Sequence, residues 1–446
     1  MKKVITYGTY DLLHYGHIAL LERAKQLGDY LIVGVTSDAF DKNRGKLNVQ
    51  QSVVERIEAV KATGLADEII IEEYEGQKIS DIKKYNVDIF AIGSDWYGKF
   101  DYLKDLCEVV YLKRTEGISS SELRENQNPT IRLGVIGIEN PAERVIQESR
   151  YVSGLEICGI YAKESDAEET EKICEKHDLQ SYDSLDELFA KSDAVYVTTL
   201  ITEHAEIIEQ ALQHGCHVLC ESPAFLSVQE ARHAFTLAKQ KNLVLLEAVK
   251  TLFFPAFEHL LLIVNSGTIG GVRDVEVSCS IIPDDFEKIK REKYRGSMYD
   301  WGNIALTPIM KILGTDFEKC TLYDYEQNGF NDFVRGILKY PHATAAFKIG
   351  KGIKTEGDMI ITGTNGYIYV PAPWWKTDYF EIRYEDLRDT KKYFFKYDGE
   401  GFRYELVEFV KMINHGILES DAYTQKEILT GIGLIEQFDQ GNVEKM

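Results

Sequence analysis

An alternation of short apolar runs with amphipathic segments constrains the fold of this 446-residue chain more than any other feature. The first apolar runs lie at 3–7, 30–35, 68–71, 88–92 and 108–112, and segments with helical spacing lie between them at 18–26, 53–63 and 79–84. Strands that alternate with helices form parallel sheets covered by helices. The sequence therefore predicts an α/β fold for this part of the chain.

The alternation stops at a polar break over residues 126–129 and then begins again. Strands are predicted at 131–136, 156–161, 194–198 and 217–220, with a helix at 141–153. From about Gly267 the pattern changes to strands of an open sheet at 272–282, 344–349, 359–362 and 367–370, together with a helix at 304–313. We predict three domains, at 1–128, 129–250 and 251–446, the last of them α+β.

Charge and apolar content exclude several classes of protein. The net charge of −21 opposes binding to nucleic acid or to an anionic membrane by bulk charge, and 44% hydrophobic residues are too many for a disordered chain. No leader and no uninterrupted run of about 18 apolar residues is present, which argues against membrane insertion. The seven cysteines include no CxxC pair and are interpreted as reduced thiols of a cytoplasmic protein.

Two polar segments follow strands of the first predicted sheet. The first contains His14, Gly16 and His17 at the start of a helix, where backbone N–H groups and imidazoles attract phosphate. The second runs from Arg114 to Ser121 and supplies a guanidinium, a glycine and hydroxyls. Either motif alone also fits simple helix capping. Their joint occurrence at the carboxyl ends of parallel strands favours a nucleoside triphosphate site.

Residues 1 to about 125 resemble the cytidylyltransferase family through three segments: Thr9–His17, Gly93–Phe100 and Arg114–Ser121. The resemblance implies a nucleotidyltransferase Rossmann-like sheet. It also implies transfer of a cytidylyl group from CTP to a polyol phosphate, such as glycerol 3-phosphate or a relative, with release of pyrophosphate. Products of this kind are CDP-activated precursors of surface glycans such as teichoic acid or capsule. A homodimer and Mg²⁺ are expected with it.

The resemblance also implies roles for individual residues. Catalytic roles fall on His14, His17, Lys46 and Arg114. The CTP site comprises Thr9, Tyr10, His14, His17, Lys46, Asp95, Arg114, Thr115, Gly117, Ile118, Ser119, Ser120 and Ser121. The acceptor would contact Arg44 and Lys78, and Asp11 would assist the metal ion. Gly64 and Ser94 depart from the family pattern, where arginine and aspartate are usual, which leaves the identity of the acceptor open.

Residues 131–446 resemble the glucose-fructose oxidoreductase and inositol dehydrogenase family. Matching segments include Gly134–Gly137, Gly215–Pro223, Glu247–Thr251 and Ser266–Gly270. The resemblance implies a second Rossmann-like domain and a site for a nicotinamide dinucleotide, NAD(P), at Gly137, Glu221 and Pro223.

Several chemically demanding positions of that family are changed in this chain. Glu139 interrupts the glycine fingerprint, and Ala162 replaces an acidic residue. Ser222 and Ile304 replace the family's lysine and its proton donor. We therefore predict a degenerate oxidoreductase. The alternative for this half is an active reductase that makes the polyol phosphate. For the whole chain, the alternative is a nucleotide-sensing regulator without turnover.

Overall fold

The structure is a computed structural model that describes residues 2–43, 46, 49–74, 76–113, 129–395, 397 and 399–445. The chain forms two compact units, which we call unit 1 (Met1–Thr130) and unit 2 (Ile131–Met446). None of the described helices combines the length and the apolar character that crossing a bilayer requires.

Unit 1 contains a five-stranded parallel sheet in the order β3-β2-β1-β4-β5. Its strands are β1 (Lys3–Gly8), β2 (Tyr30–Thr36), β3 (Glu68–Glu72), β4 (Ile89–Gly93) and β5 (Glu108–Leu112). Its described helices are α1 (Tyr15–Lys25), α2 (Asp38–Asn43), α3 (Val53–Ala62) and α4 (Gln77–Tyr85).

The apolar strands of unit 1 bury side chains on both faces of the sheet. Val4 and Leu31 pack in a core on one face, while Ile5 and Phe90 pack in a core on the other. Successive side chains of a strand point to opposite faces, so an uninterrupted apolar run suits a strand that is covered by helices on both sides.

The strand order locates the ligand crevice of unit 1. β1 lies between β2 and β4, so the connections from β1 and from β4 leave in opposite directions along the sheet. Open α/β sheets bind ligands at this reversal, outside the carboxyl ends of the strands. The segment 9–17 follows β1 and the segment 94–96 follows β4, so the fold brings two of the sequence-predicted segments to one crevice.

Unit 2 begins with a second parallel sheet in the order β10-β9-β8-β6-β7. Its strands are β6 (Ile131–Ile136), β7 (Leu155–Tyr161), β8 (Ala194–Val197), β9 (His217–Glu221) and β10 (Leu245–Ala248). The accompanying helices are α5 (Ala142–Ser149), α6 (Ala167–His177), α7 (Leu185–Lys191), α8 (Ile201–Gln213) and α9 (Val228–Lys241). The reversal of strand order falls between β6 and β8.

The rest of unit 2 is built on a nine-stranded mixed sheet in the order β18-β17-β16-β15-β11-β14-β13-β12-β19. Its strands are β11 (Val272–Ile281), β12 (Lys319–Gln327), β13 (Phe330–Lys339), β14 (Thr344–Lys351), β15 (Met359–Gly363), β16 (Tyr367–Val370), β17 (Tyr379–Arg383), β18 (Lys391–Phe394) and β19 (Glu444–Lys445). Its helices are α10 (Pro255–Asn265), α11 (Phe286–Ile289), α12 (Ser297–Leu313), α13 (Phe402–His415) and α14 (Gln425–Asp439).

The predicted fold class is confirmed, with two parallel α/β sheets followed by a mixed sheet. The α12 helix begins at Ser297, seven residues before the predicted start, and α5 ends at Ser149 rather than at residue 153. The hairpin of β12 and β13 was not predicted, because its alternating polar and apolar residues give a weaker signal than a continuous apolar run. The boundaries of the three predicted domains stay a prediction.

Candidate active site

The loop that follows β1 has an unusual backbone conformation. Tyr10 and Leu12 have φ values of 56° and 46°, in the left-handed region that residues other than glycine seldom adopt. Such conformations persist only where surrounding contacts enforce them, and they are concentrated at functional sites. The conformation of this loop therefore depends on the residues that contact it.

His14 caps the amino terminus of α1. Its Nδ1 atom accepts a hydrogen bond from the backbone N–H of Gly16 at 3.1 Å. A ring nitrogen that accepts a hydrogen bond carries no proton, so the neutral His14 ring holds its proton on Nε2. This N–H can donate to phosphate oxygens.

His17 stacks on His14, and its burial keeps it neutral. The ring centroids are 3.9 Å apart with an angle of 25° between the planes, and the Tyr10 ring meets His17 edge-on at 5.5 Å. Burial, with smaller contributions from the neighbouring His14 and Lys46, lowers the pKa of His17 to about 3. Nδ1 of His17 is buried and has no hydrogen-bond partner among the described residues. His17 can therefore serve as a neutral hydrogen-bond donor to a ligand.

The neutral state of His17 makes the stability of unit 1 depend on pH. Between the ordinary pKa of 6.5 and a pKa of about 3, the unfolded chain binds a proton at His17 that the native state does not, so acidification favours unfolding. From pH 7 to pH 5 the expected loss is roughly 2 kcal/mol. Pulse-labelling hydrogen exchange of β1 peptides in urea at both pH values measures it. A His17→Asn variant should lose correspondingly less stability, and an equal loss would contradict the assignment.

Thr9 connects Lys46 to a buried carboxylate. The Thr9 hydroxyl donates to Oδ1 of Asp41 at 2.8 Å, and Nζ of Lys46 donates to the Thr9 hydroxyl at 2.8 Å. Asp41 is buried while Lys46 is exposed. The ammonium group of Lys46 is close enough to the histidine pair to lower the pKa of His17. The fold thus brings three of the predicted catalytic residues, His14, His17 and Lys46, to one place.

Arg56 is a central residue of the site that the sequence analysis missed. It lies in α3, is fully buried, and donates to the backbone carbonyls of Thr9 at 2.7 Å, Thr36 at 2.9 Å and Gln51 at 2.9 Å. It also pairs with the carboxylates of α2, at 3.2 Å to Asp41 and more closely to Asp38. One guanidinium therefore joins the β1 loop, the end of β2, α2 and the start of α3. A cation near the amino terminus of a helix opposes the helix dipole, which is the sequence signal that could have revealed it.

Asp11 anchors the segment that leads into α3. Its Oδ1 accepts the backbone N–H groups of Gln50 at 3.1 Å and Gln51 at 3.0 Å, and the side chain is buried. The described residues contain no cluster of three or more histidine, cysteine, aspartate or glutamate side chains that could hold a metal ion. The Asp11 carboxylate therefore has a structural role, and the predicted contact with a metal ion would use the same group.

Lys78, predicted to bind the acceptor, lies in a buried ion pair with Glu72. Its ammonium group sits 4.7 Å from the centroid of the Tyr7 ring, and the Tyr7 hydroxyl donates to Asp81 at 2.8 Å. Burial and the neighbouring Asp81 carboxylate raise the pKa of Tyr7. An acceptor phosphate would have to compete with Glu72 for this lysine.

Other predicted site residues are exposed or lie outside the described part of the chain. Asp95 is exposed in the single turn that follows β4, beside the end of β1. Tyr10 is buried to 2% exposure, and its hydroxyl has no hydrogen-bond partner among the described residues. The Tyr10 side chain therefore lies in the hydrophobic core and packs against the ring of His17. Outside the described residues lie Arg44, Arg114, Thr115, Gly117, Ile118, Ser119, Ser120 and Ser121.

Comparisons with known proteins agree with this geometry. Residues 5–126 match the family model described as cytidylyltransferase-like. A glycerol-3-phosphate cytidylyltransferase of Bacillus subtilis is 54% identical over 125 residues, which are 28% of this chain and 96% of the relative. The chain belongs to the cytidylyltransferase-like family. Its first domain is a nucleotidyltransferase, and a glycerol-3-phosphate cytidylyltransferase of Staphylococcus aureus is 50% identical over 94% of its own length.

This cytidylyltransferase-like chain carries an oxidoreductase domain as well. Residues 131–249 match the model of the oxidoreductase family with an NAD-binding Rossmann fold. A scyllo-inositol 2-dehydrogenase (NADP(+)) of Bacillus subtilis is 26% identical over 69% of this chain and 95% of the relative. The crystal structure of a 3-ketoreductase from Actinomadura kijaniata with NADP and TDP-benzene superimposes with a TM-score of 0.64 at 20% identity, over 71% of this chain and 98% of that one.

Unit 2 of this cytidylyltransferase-like chain contains the three residues predicted to contact a dinucleotide, Gly137, Glu221 and Pro223. Gly137, with φ 91°, lies so close to Thr198 that a Cβ atom would come within 2.4 Å of its carbonyl oxygen. Glu221 is half-buried beside the hydroxyl of Tyr196, which donates to it, and desolvation raises the pKa of its carboxyl. The Pro223 carbonyl contacts the ring of His204 at 3.1 Å.

The positions that would transfer a proton in unit 2 hold other groups. Ser222 donates through its hydroxyl to the buried Glu247 at 2.6 Å, and Asn303 donates to the same carboxylate at 2.7 Å. Ile304 lies on α12 and has no ionisable atom. Lys250 donates to the Glu400 carbonyl at 2.7 Å, and burial lowers its pKa.

Proposed function

We propose that unit 1 transfers a cytidylyl group from CTP to a polyol phosphate, glycerol 3-phosphate or a relative, and releases pyrophosphate. The observation that carries this proposal is the stacked pair of His14 and His17 at the start of α1, with Lys46 linked to the same loop through Thr9. The glycerol-3-phosphate cytidylyltransferases that match 94 to 96% of their own length support the substrate class.

The proposed reaction is an in-line displacement at the α-phosphorus of CTP. A phosphate oxygen of the acceptor forms the new P–O bond, and the bond from the α-phosphorus to the bridging oxygen breaks with its electron pair on pyrophosphate. Negative charge spreads over the phosphate oxygens, and preorganised donors stabilise it. Nε2–H of His14, the neutral ring of His17 and the ammonium of Lys46 supply these donors.

The remaining contacts with the nucleotide are proposed from the family resemblance. Thr9 and the backbone of Tyr10 line the phosphates, Asp95 lies on the nucleotide side, and the segment from Arg114 to Ser121 holds the ribose, phosphates and base. Arg44 and Lys78 bind the acceptor. Mg²⁺ enters with the triphosphate, since it prefers phosphate oxygens with one or two carboxylates. Asp11 is its proposed protein partner.

We propose that unit 2 has the fold of an oxidoreductase without its turnover. Ser222 is held by Glu247, and Ile304 has no proton to give, so a carbonyl substrate would meet no proton donor at either position. The alternative is an active NAD(P)-dependent reductase that makes the polyol phosphate. The fusion to an enzyme that consumes such a product favours it.

The chain is further proposed to act in the cytoplasm as a homodimer. Its product would be a CDP-activated precursor of a surface glycan such as teichoic acid or capsule. This assignment rests on the names of the relatives and on analogy of fold.

Pyrophosphate release by the full chain tests the proposed activity. With CTP, Mg²⁺ and a panel of polyol phosphates, we expect release that requires one class of acceptor. A Lys46→Ala variant should be slowed roughly tenfold or more, because a cation near the developing charge is lost. The matched variant Lys83→Ala removes an exposed lysine of α4 and should behave as the unchanged chain. No release with any acceptor, or equal rates in both variants, would refute the proposal.

A further inference from the structure

The loop between β6 and α5 lies where a dinucleotide-binding domain holds the diphosphate of its ligand. It starts at Gly137, whose conformation only a glycine fits, and ends at Ala142, the first residue of α5. In this fold the diphosphate lies at the amino terminus of the helix after the first strand. Glu139 stands in the middle of the loop, so its side chain enters the region that glycine usually leaves open.

The Glu139 carboxylate already has a cationic partner from the same unit. Oε1 of Glu139 lies 2.5 Å from Nη2 of Arg295, in the single turn that precedes α12. Nε of Arg295 also contacts Glu292 at 3.3 Å. The backbone carbonyl of Glu139 accepts from the N–H of Ala142 at 2.7 Å and from the hydroxyl of Thr198 at 3.2 Å. The loop is therefore fixed through both its side chain and its backbone.

A second carboxylate lies at the start of α5. Glu143, in the first helical turn, contacts Nζ of Lys176 at 2.7 Å and Nε2 of His177 at 2.9 Å. These partners lower the pKa of Glu143, so it stays ionised at neutral pH. The positive end of the helix dipole is thus occupied by carboxylates of the chain itself, which would repel a diphosphate.

The position that would bind the adenosine ribose of a dinucleotide is changed as well. The position after β7 that would bind ribose hydroxyls holds Ala162, which has no polar side-chain atom. The next residue, Lys163, is paired with Glu203 of α8. The residues present therefore do not fit the diphosphate of a nicotinamide dinucleotide, and Ala162 supplies no acidic contact to the hydroxyls of its adenosine ribose.

We propose that Glu139 is a built-in substitute for the dinucleotide diphosphate, with Arg295 as its counter-ion, and that unit 2 for this reason binds neither NADH nor NADPH. The inference concerns binding by unit 2. It is independent of cytidylyl transfer by unit 1. It rests on the proposed loss of turnover in unit 2 and adds a reason why the cofactor does not bind. Turnover depends on Ser222 and Ile304, whereas binding depends on Glu139.

Titration of the full chain with NADPH and NADH tests the proposal, with binding followed by calorimetry and by nucleotide fluorescence. We expect no saturable binding by the unchanged chain. A Glu139→Gly variant removes the carboxylate and releases Arg295, and it should bind at least about tenfold more tightly, because a like charge facing the ligand is removed. Pyrophosphate release by unit 1 and the thermal unfolding curve report whether each variant is folded.

Two control variants distinguish the effect of the Glu139 carboxylate from the effect of its ion pair with Arg295. Glu292→Gln removes a different carboxylate from the same guanidinium and should leave the chain unable to bind. Arg295→Ala breaks the pair but retains Glu139, and should also fail to bind. Binding by the unchanged chain would overturn the proposal. A folded Glu139→Gly variant that does not bind, or a Glu292→Gln variant that binds as tightly as Glu139→Gly, would overturn it as well.

Discussion

Replacing His17 with alanine is expected to lower kcat for pyrophosphate release roughly 100- to 1,000-fold, the loss typical of removing one preorganised donor to a developing negative charge. The imidazole is half-buried, neutral and stacked on His14, so its donor needs no reorganisation as the charge develops. The KM for CTP should change much less than kcat, because the interaction is strongest in the transition state. Steady-state kinetics at saturating acceptor measures the two separately.

Amide variants distinguish a donor role of His17 from a purely steric one. Asparagine places an N–H group near the position of Nδ1, and glutamine places one near that of Nε2. At least one of His17→Asn and His17→Gln should therefore be faster than His17→Ala. The control is Tyr15→Phe, which alters an exposed side chain in the same helical turn and should leave kcat unchanged. Equal losses in the alanine, asparagine and glutamine variants would contradict a hydrogen-bonding role.

The sequence predicted the site best where the spacing of residues along the chain determines the geometry. His14 and His17 are three residues apart at a helix start, so they lie on the same side of the first turn, and the structure stacks them. The strands of the two parallel sheets other than β10 were equally predictable, because buried strands such as β1 and β6 are continuous apolar runs bounded by turns.

Partners that are distant in the sequence could not be predicted in this way. Lys78 was expected to face an acceptor, but the fold places Glu72 beside it. Glu139 was recognised as incompatible with a diphosphate, yet its partner Arg295 is 156 residues away. A single sequence gives the type of a charged residue and its position within an element. It does not give the residue that neutralises its charge after the chain has folded.

Arg56 is the clearest example of such a distant partner, and replacing it is expected to affect both stability and activity. Arg56→Met should lower the free energy of unfolding of unit 1 by about 3 to 5 kcal/mol, the usual cost of removing one partner of a buried ion pair. The reason is that Asp41, whose side chain is 1% exposed, would keep its charge without the guanidinium, while three backbone carbonyls would lose a donor.

The same substitution should slow catalysis in the molecules that remain folded. Arg56 holds the Thr9 carbonyl and the Asp41 carboxylate, and through Thr9 it positions Lys46. Arg56→Lys keeps the charge but cannot donate to all of these acceptors, because an ammonium lacks the planar fork of a guanidinium. We therefore expect the lysine variant to be more stable than the methionine variant and still slower than the unchanged chain. Activity per folded molecule is measured below the unfolding transition.

A second substitution tests whether the uncompensated charge of Asp41 causes the loss of stability. Asp41→Asn in the Arg56→Met background removes that charge and should recover part of the lost free energy, as expected for residues that interact directly. The matched control is Lys61→Met, which removes an exposed cation from the same helix, where it makes a surface contact with Glu58 at 3.6 Å. Urea denaturation with hydrogen exchange of β1 and β2 peptides follows unit 1 in each variant. If Arg56→Met were no less stable than Lys61→Met, the buried guanidinium would not be what holds the β1 loop, and the conformation of Tyr10 and Leu12 would need another cause.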